Sequence, residues 1–249
     1  IDLSADFRLS DSVIYKKFYK KDHKAKDLIN KSIYGLPEFS KKILKRFKII
    51  ACPGCYPTSI QIPLLPLIKK NLIDKKSIII DSKSGYSGAG KNLTKKFKHK
   101  NIFSSIYAYN VFKHRHTSEI DQEIKKISKS RINYVFAPHL IPTFRGMLSS
   151  IYVDLKPGIT INKVLNEIKK FHKSNFFVKV HPLNKTIGTG NVLNTNFCEV
   201  SVCELKNKNK ILILSAIDNL VKGAAGQAIQ NLNIVYGFKE KTGLIWDFL

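Results

Sequence analysis

Four stretches of this chain carry residues whose types and spacing can do chemistry. The first is Cys52-Pro53-Gly54-Cys55. Two thiols three residues apart can act as a redox dithiol or as half of a zinc site. Zinc needs further ligands, and Cys198 and Cys203 are not spaced as a second knuckle. Pro53-Gly54 adds a third reading: a strand, a tight turn, and Cys55 at a helix N-terminus. There, unpaired backbone N–H groups face the sulfur, favour its thiolate and can hold an oxyanion. An inert buried thiol stays open beside these readings.

The second stretch is His114-Arg115-His116-Thr117-Ser118-Glu119. Two histidines and a carboxylate this close can bind a metal, supply acid–base groups, or form a solvated basic turn. A candidate thiolate elsewhere strengthens the acid–base reading, because a Cys–His couple forms at any sequence distance. The third stretch, Gly85-Tyr86-Ser87-Gly88-Ala89-Gly90-Lys91-Asn92, almost spells a P-loop. Asn92 lacks the hydroxyl that would hold Mg²⁺, and no apolar-periodic helix follows, which argues against an ATPase. A glycine-rich turn that brings backbone close to a phosphate or a nicotinamide ribose fits better. The fourth, Asp218-Asn219-Leu220-Val221-Lys222-Gly223-Ala224-Ala225-Gly226-Gln227-Ala228, puts small residues at a helix start. These suit close packing against a sheet, a cofactor or simply another helix.

The elements that must position these residues are legible as patterns. Residues 47–52 read as a short buried strand, broken by Pro53-Gly54. A helix is expected from Tyr56 onward, with Pro57 in its first turn and kinks at Pro63 and Pro66. Residues 77–81 read as a strand leading into the glycine-rich run. Further strands are expected at 132–137, 147–155, 177–180, 198–204 and 211–217. Helices are expected over 160–172, where Ile161, Val164, Leu165 and Ile168 share a face, and over 220–236, ending near Gly237. Strands in the middle with flanking helices read as α/β at the start and α+β later.

The chain has 249 residues, a 43% hydrophobic share and a formal charge of +25. It is long enough for one large or two ordinary domains. No apolar run approaches the roughly 18 residues of a spanning helix. The N-terminal residues, with two acids and no basic flank, are not a secretory signal. The charge raises the question of a polyanion partner, and the cluster Lys95-Lys96-Phe97-Lys98-His99-Lys100 could steer anionic ligands. Yet 38 of the 43 basic residues are Lys, spread along the chain, whereas nucleic-acid readers favour Arg. Solvated surface lysines are the simpler reading. Four cysteines in a chain this long fit a reducing compartment.

Taken together, seven segments occur in a telling order: Tyr34-Gly35-Leu36-Pro37-Glu38, Pro53-Gly54-Cys55-Tyr56-Pro57-Thr58, Ser84–Gly90, His114-Arg115-His116, Pro138-His139-Leu140, Arg145-Gly146 and Asp218–Gln227. From near its first residue to its last, the chain resembles the N-acetyl-gamma-glutamyl-phosphate reductases. The Pro-Gly-Cys-Tyr-Pro-Thr block is highly specific to that family. The resemblance implies the end of a Rossmann-type NADP-binding domain plus a catalytic domain like that of glyceraldehyde-phosphate dehydrogenase. The implied division is 1–54 for the remainder of the dinucleotide domain, 55–217 for the catalytic domain, and 218–249 for a C-terminal helix returning to the nucleotide domain. The family's Gly-x-x-Gly-x-x-Gly turn lies upstream of a segment matching Ile1–Arg8. About 100 residues of a dinucleotide-binding unit are therefore expected to precede Ile1.

By resemblance, the reaction is NADPH-dependent reduction of an acyl phosphate, as part of arginine biosynthesis. Cys55 is the nucleophile, and His114 is the first choice for acid–base catalyst, with His116 second. The nicotinamide-side contacts fall on Ser84, Gly85 and Asn219. Arg115 and Arg145 are candidates for the substrate carboxylate or phosphate, by fork geometry, each open to being a surface salt bridge instead. Cys52 reads as a bystander whose nearness makes Cys55 prone to oxidation. The expected setting is a cytoplasmic homo-oligomer, dimer or tetramer, acting on a small molecule without a metal, nucleic acid or membrane. A related semialdehyde dehydrogenase and an inactive fragment are the competing readings, and a polyanion-binding protein is a more distant one.

Overall fold

The computed structural model describes residues 1–90, 101, 103–111, 113–129 and 132–245. Lys91-Asn92 and the Lys95–Lys100 cluster lie outside them. The chain opens with helix α1 (Ser12–Tyr19), whose first turn is capped by Asp11: its carboxylate accepts from the N–H groups of Val13 and Ile14. Two short parallel strands follow, β1 (Ser32–Tyr34) and β2 (Ile49–Ala51), with the four-residue helix α2 (Pro37–Ser40) between them. Asp2 adds a parallel bridge to Ala51.

Helix α3 (Cys55–Lys69) starts at the expected turn and runs through both of its internal prolines. Pro66 has no N–H to give to the Ile62 carbonyl, which lies one turn back. His172 fills that place: its Nε2 lies 2.9 Å from Ile62 O, while its Nδ1 accepts from Asn175 at 3.0 Å. Burial holds His172 below the usual imidazole range, so the neutral ring donates through Nε2. Replacing His172 with Leu strands a buried carbonyl, and the expected loss is about 1–3 kcal/mol of unfolding free energy by urea titration. An unchanged midpoint would show that the proline gap needs no filling.

The main sheet has seven strands in the order β4-β5-β3-β6-β9-β8-β7. They are β3 (Ile79–Gly85), β4 (Tyr107–Ala108), β5 (Val135–Ile141), β6 (Met147–Asp154), β7 (Val178–Val180), β8 (Cys198–Glu204) and β9 (Lys210–Ile217). The pairs β3–β5 and β7–β8 are parallel and the others antiparallel, which gives the expected mixed α+β layer. On one face lies α3, packed also against α4 (His116–Ser128) and α5 (Ile161–His172). Ile60, Leu64, Leu67, Ile80, Ile151, Val164, Ile168 and Val200 form the continuous core between them. The chain ends in α6 (Gly226–Tyr236), stopped by Gly237 at φ 78°. Its Asn231 donates to Gly35 O at 2.8 Å, so the C-terminal helix returns onto the segment between β1 and α2. Among the described residues no helix is long and apolar enough to cross a membrane.

Helix α4, which carries His116 and Glu119, was not among the expected elements, and the strand expected at 132–137 runs instead over Val135–Ile141. Two further differences matter for the site. Strand β3 does not stop at Asp81 but continues to Gly85, paired on both sides. The polar residues Ser82 and Ser84 stay in the sheet because they are wholly buried on its covered face. There Ser82 joins a hydroxyl line, Ser82–Ser149 at 2.8 Å and Ser149–Ser59 at 2.7 Å, that ties the sheet to α3. The last helix does not begin as an α-helix at Leu220. Val221–Ala225 form a π-turn with bonds Gly223 N–H to Asp218 O and Ala225 N–H to Leu220 O. The Asp218 carboxylate accepts from Leu220 and Val221 N–H at 2.8 and 3.2 Å, which fixes where that turn starts.

Candidate active site

Cys55 is the first residue of α3, with extended Gly54 before it. The turn allows no side chain at Gly54: a Cβ there would sit 2.4 Å from Nε2 of His116. The His116 ring is therefore stacked directly on the backbone that presents the cysteine. A second close approach comes from the π-turn, where a Cβ on Gly223 would meet Cys55 Cβ at 2.6 Å. The backbone just ahead of Cys55 is thus walled by an imidazole, Cys55 itself abuts the bare backbone of Gly223, and its side chain is half-buried.

Burial pushes the Cys55 thiol up to about 11. The Tyr56 N–H, the Arg8 charge and the Cys55 N–H pull the other way, and the Glu119 carboxylate adds to the rise. The helix N-terminus does stabilise the thiolate as expected, but desolvation outweighs it. Burial also drives His116 well below its usual range, helped by the charges of Arg8 and Arg115. Both groups therefore rest uncharged at neutral pH, the Cys55 thiol protonated and the His116 imidazole neutral. Alkylation of Cys55 in the free protein by iodoacetamide is expected to rise about tenfold per pH unit from pH 7 to 10, since only the thiolate reacts. A rate that levels off near pH 7 would show a preformed ion pair instead.

The two histidines are placed very differently. Nδ1 of His114 accepts from the His116 N–H at 3.2 Å, and its Nε2 lies 3.2 Å from the Tyr109 hydroxyl. Tyr109 donates to the Tyr56 hydroxyl at 3.2 Å, and Tyr56 donates to His139 O at 3.0 Å. This chain consumes both ring nitrogens of His114 and fixes its tautomer. Nδ1 of His116, in contrast, is buried with no hydrogen-bond partner among the described residues, and its Nε2 lies 3.8 Å from Glu119.

Glu119 is the residue whose importance the pattern of types understates. Its side chain is wholly buried one turn along α4 from His116. It accepts from Gly54 N–H at 2.9 Å, Tyr34 hydroxyl at 3.0 Å and Arg8 at 3.1 Å. One carboxylate thus ties the cysteine turn, the histidine, β1 and the N-terminal segment together. The spacing of three residues from His116 was a visible signal that both share a helix face. Arg8 had no local signal, because its partner is 111 residues away.

Ser84, Gly85 and Asn219 do come together. Asn219 accepts from Gly146 N–H at 2.7 Å and donates to Ser87 at 2.9 Å. A Cβ on Gly88 would meet Ser84 Oγ at 2.6 Å and Asn219 Nδ2 at 3.8 Å, and one on Gly85 would strike the Phe144–Arg145 backbone. Asn219 lies four positions before Gly223, the residue whose Cα abuts Cys55. Of the arginines, Arg115 is exposed at the start of α4, over the Tyr19 ring at 5.2 Å. Arg145 is tied through one nitrogen to the buried Asp218 at 3.2 Å and to Asn194. All four cysteines are free, and Cys52 is buried with Asn231 donating to its sulfur at 3.6 Å. Among the described residues no group of three or more His, Cys, Asp or Glu could hold a metal ion.

A half-buried cysteine at a helix start with a stacked imidazole is the geometry of covalent acyl transfer. Comparison with known proteins narrows it. Residues 55–219 match the model of the semialdehyde dehydrogenase dimerisation domain. The N-acetyl-gamma-glutamyl-phosphate reductase of Clostridium kluyveri is 46% identical over 244 residues, covering 98% of this chain and 71% of its own length. The protein of that name from Desulforamulus reducens is 44% identical over 98% of this chain and 70% of its own length. The chain belongs to the N-acetyl-gamma-glutamyl-phosphate reductase family. Among solved structures, aspartate semialdehyde dehydrogenase II from Vibrio cholerae shares the fold: TM-score 0.62 at 18% identity, over 84% of this chain and 69% of that one. That from Francisella tularensis gives 0.62 at 15%, over 83% and 71%. The reductase family therefore sits on the fold of the semialdehyde dehydrogenases, as the mixed sheet and the cysteine-bearing helix anticipated.

Proposed function

We propose that this protein reduces N-acetyl-gamma-glutamyl phosphate to N-acetylglutamate 5-semialdehyde with release of phosphate, in arginine biosynthesis, with NADPH as reductant and a thioester on Cys55. The observation that carries the reading is Cys55 at the start of α3 with the His116 ring packed on Gly54, in a chain of this family.

The chemistry follows from the groups present. Cys55 loses its proton to the adjacent imidazole, and its sulfur attacks the acyl carbon. The tetrahedral oxyanion forms beside the N–H groups of the first turn of α3; it then collapses, the C–O bond to phosphate breaks, and the phosphate leaves with the bonding pair and takes a proton from solvent. NADPH, when bound, supplies the hydride that the thioester carbon accepts. The imidazolium then protonates the resulting oxyanion, and collapse of the thiohemiacetal returns the thiol and frees the aldehyde. His116 is the better candidate for this proton traffic, with Glu119 behind it, and His114 is the ring that orients it. That order reverses the one expected from the sequence, because the contacts of His114 leave no nitrogen for a substrate.

The Ser84–Gly85, Ser87–Gly88 and Asn219 corner suits the nicotinamide end of the cofactor. Asn219 Nδ2 keeps a second N–H beyond its bond to Ser87, and the glycines leave the backbone bare. Arg115, exposed beside His116, is the better placed of the two arginines for an anionic substrate group. Arg145 holds the corner through Asp218, with its other guanidinium nitrogens left for an anion. Residues 1–54 and 218–249, joined through Asn231, Glu38 and Lys222, belong to the nucleotide side, and 55–217 to the catalytic side. Homo-oligomerisation is supported by the matched domain's description as a dimerisation domain, and the sheet offers a face for it. Ile79, Val135, Tyr152 and Leu212 stand in register on one sheet face, exposed or half-exposed. A cytoplasmic setting fits four free cysteines.

The deciding assay is phosphate-dependent reduction of NADP⁺ by the full-length protein with N-acetylglutamate semialdehyde. Turnover with this aldehyde and not with aspartate semialdehyde is expected. The opposite preference would move the protein to the related dehydrogenases.

A further inference from the structure

Lys222 is a charged side chain with no exposed surface, and its partner Glu38 is buried just as deeply, at 0% and 1%. The ammonium donates to Glu38 at 2.6 Å and to Gln230 at 2.8 Å, and Gln230 donates back to Glu38 at 3.3 Å. Gln230 also accepts from Asn196 at 2.9 Å, so the network joins α2, α6 and the loop before β8 to the π-turn. Burying such a pair usually stabilises a fold no more than apolar residues of the same volume would. Stability alone is therefore a poor account of it.

Its position supplies a better one. Lys222 immediately precedes Gly223, whose Cα faces Cys55 so closely that an added Cβ would lie 2.6 Å from Cys55 Cβ and 3.1 Å from its Cα. The Lys222 carbonyl accepts from Gln227 at 3.2 Å, and Gln227 donates to Thr58 at 3.1 Å, in the first turn of the helix that begins with Cys55. The side chain and the backbone of one residue are thus fixed to α2 on one side and to the cysteine's own helix on the other. The turn is a π-helix, a form that recurs at functional sites and that needs holding in place.

We propose that the Lys222–Glu38 ion pair is a positioning device that sets the π-turn against Cys55 and so fixes the nucleophile's approach. The inference rests on Cys55 being the nucleophile, as proposed above. Neither residue touches the sulfur; both act through Gly223.

The test uses the full-length protein with the double substitution Lys222→Met and Glu38→Leu, which removes both charges at similar volume, and with Glu38→Asp, which keeps the charge one methylene short. Folding is followed by circular dichroism and thermal melting. The readouts are kcat, KM and the iodoacetamide rate at Cys55, located by peptide mass spectrometry. A folded variant is expected to lose about ten- to a hundredfold in kcat, as misplacement by up to about 1 Å can cost, with KM within about threefold. Its Cys55 alkylation rate should change as well, which a purely structural pair would not cause. Wild-type kcat and alkylation rate in either folded variant would overturn the proposal. Cys55→Ser, run alongside, separates the two ideas: full activity in that variant removes the nucleophile assignment, whatever Lys222 does.

Discussion

Cys55→Ser is expected to lower kcat for the acyl phosphate by on the order of 10⁴-fold or more, while NADPH affinity stays within about twofold. The alcohol is a far weaker nucleophile than a thiol at neutral pH, and the walls around residue 55 give it no stronger base than a neutral imidazole. An ester, if formed, would also accept hydride less readily than a thioester. The substitution should not disturb the fold, because serine is smaller and Gly223 already leaves room for the larger sulfur. Cofactor affinity is the control: the Ser84, Gly85 and Asn219 corner proposed for the nicotinamide makes its contacts without the sulfur. Measured by stopped flow, wild-type should release phosphate in a burst and the variant none. A variant that turns over normally would remove Cys55 from the chemistry altogether.

The next largest effect is expected at His116. His116→Asn should cost about 10²–10⁴-fold in kcat, the usual loss when a general acid–base is removed. His114→Asn should cost less, since an amide can still accept from the His116 N–H and donate toward Tyr109. The two can be told apart by pH as well as by magnitude. Removing the proton acceptor should leave a rate that climbs with pH toward the thiol's own titration, about 11, because hydroxide then has to do the work. Removing the orienting ring should lower the whole profile without changing its shape. Single-turnover phosphate release across pH 6–10 measures both. Equal losses, or a larger loss at His114, would return the acid–base role to His114.

Much of this site is local and therefore readable in the chain itself. Pro53-Gly54 ahead of an apolar-periodic stretch makes a strand end, a turn and a helix start, and that alone puts Cys55 where backbone N–H groups converge. Thr160 and Gly237 mark their helix ends for the same reason: caps act within one turn. The order of the Gly-rich, His-rich and Asp218–Gln227 segments was enough to indicate the family, since each is a run of neighbours. The main-sheet strands were visible as apolar runs rich in β-branched residues, apart from the two-residue β4, the polar extension of β3, and β5, which the pattern placed at 132–137 and the structure carries on to Ile141.

Tertiary structure decided what depends on partners far apart in the chain. His114 and His116 are indistinguishable by type; only Tyr109 and the Gly54 turn separate them. Glu119 reaches Arg8, Tyr34 and Gly54 across separations of 111, 85 and 65 residues, and no periodicity encodes such distances. The thiol's ordinary protonation state was equally hidden. A helix N-terminus argues for a thiolate, but burial depends on every element packed around it, and here burial is the larger effect. Lys222 shows the same limit most sharply. A lysine in a run of small residues reads as surface, and only the closing of α2 against the last helix places it at Glu38, 184 residues away. Short-range geometry is written in neighbouring residues, while burial and long-range pairing exist only once the chain has closed on itself.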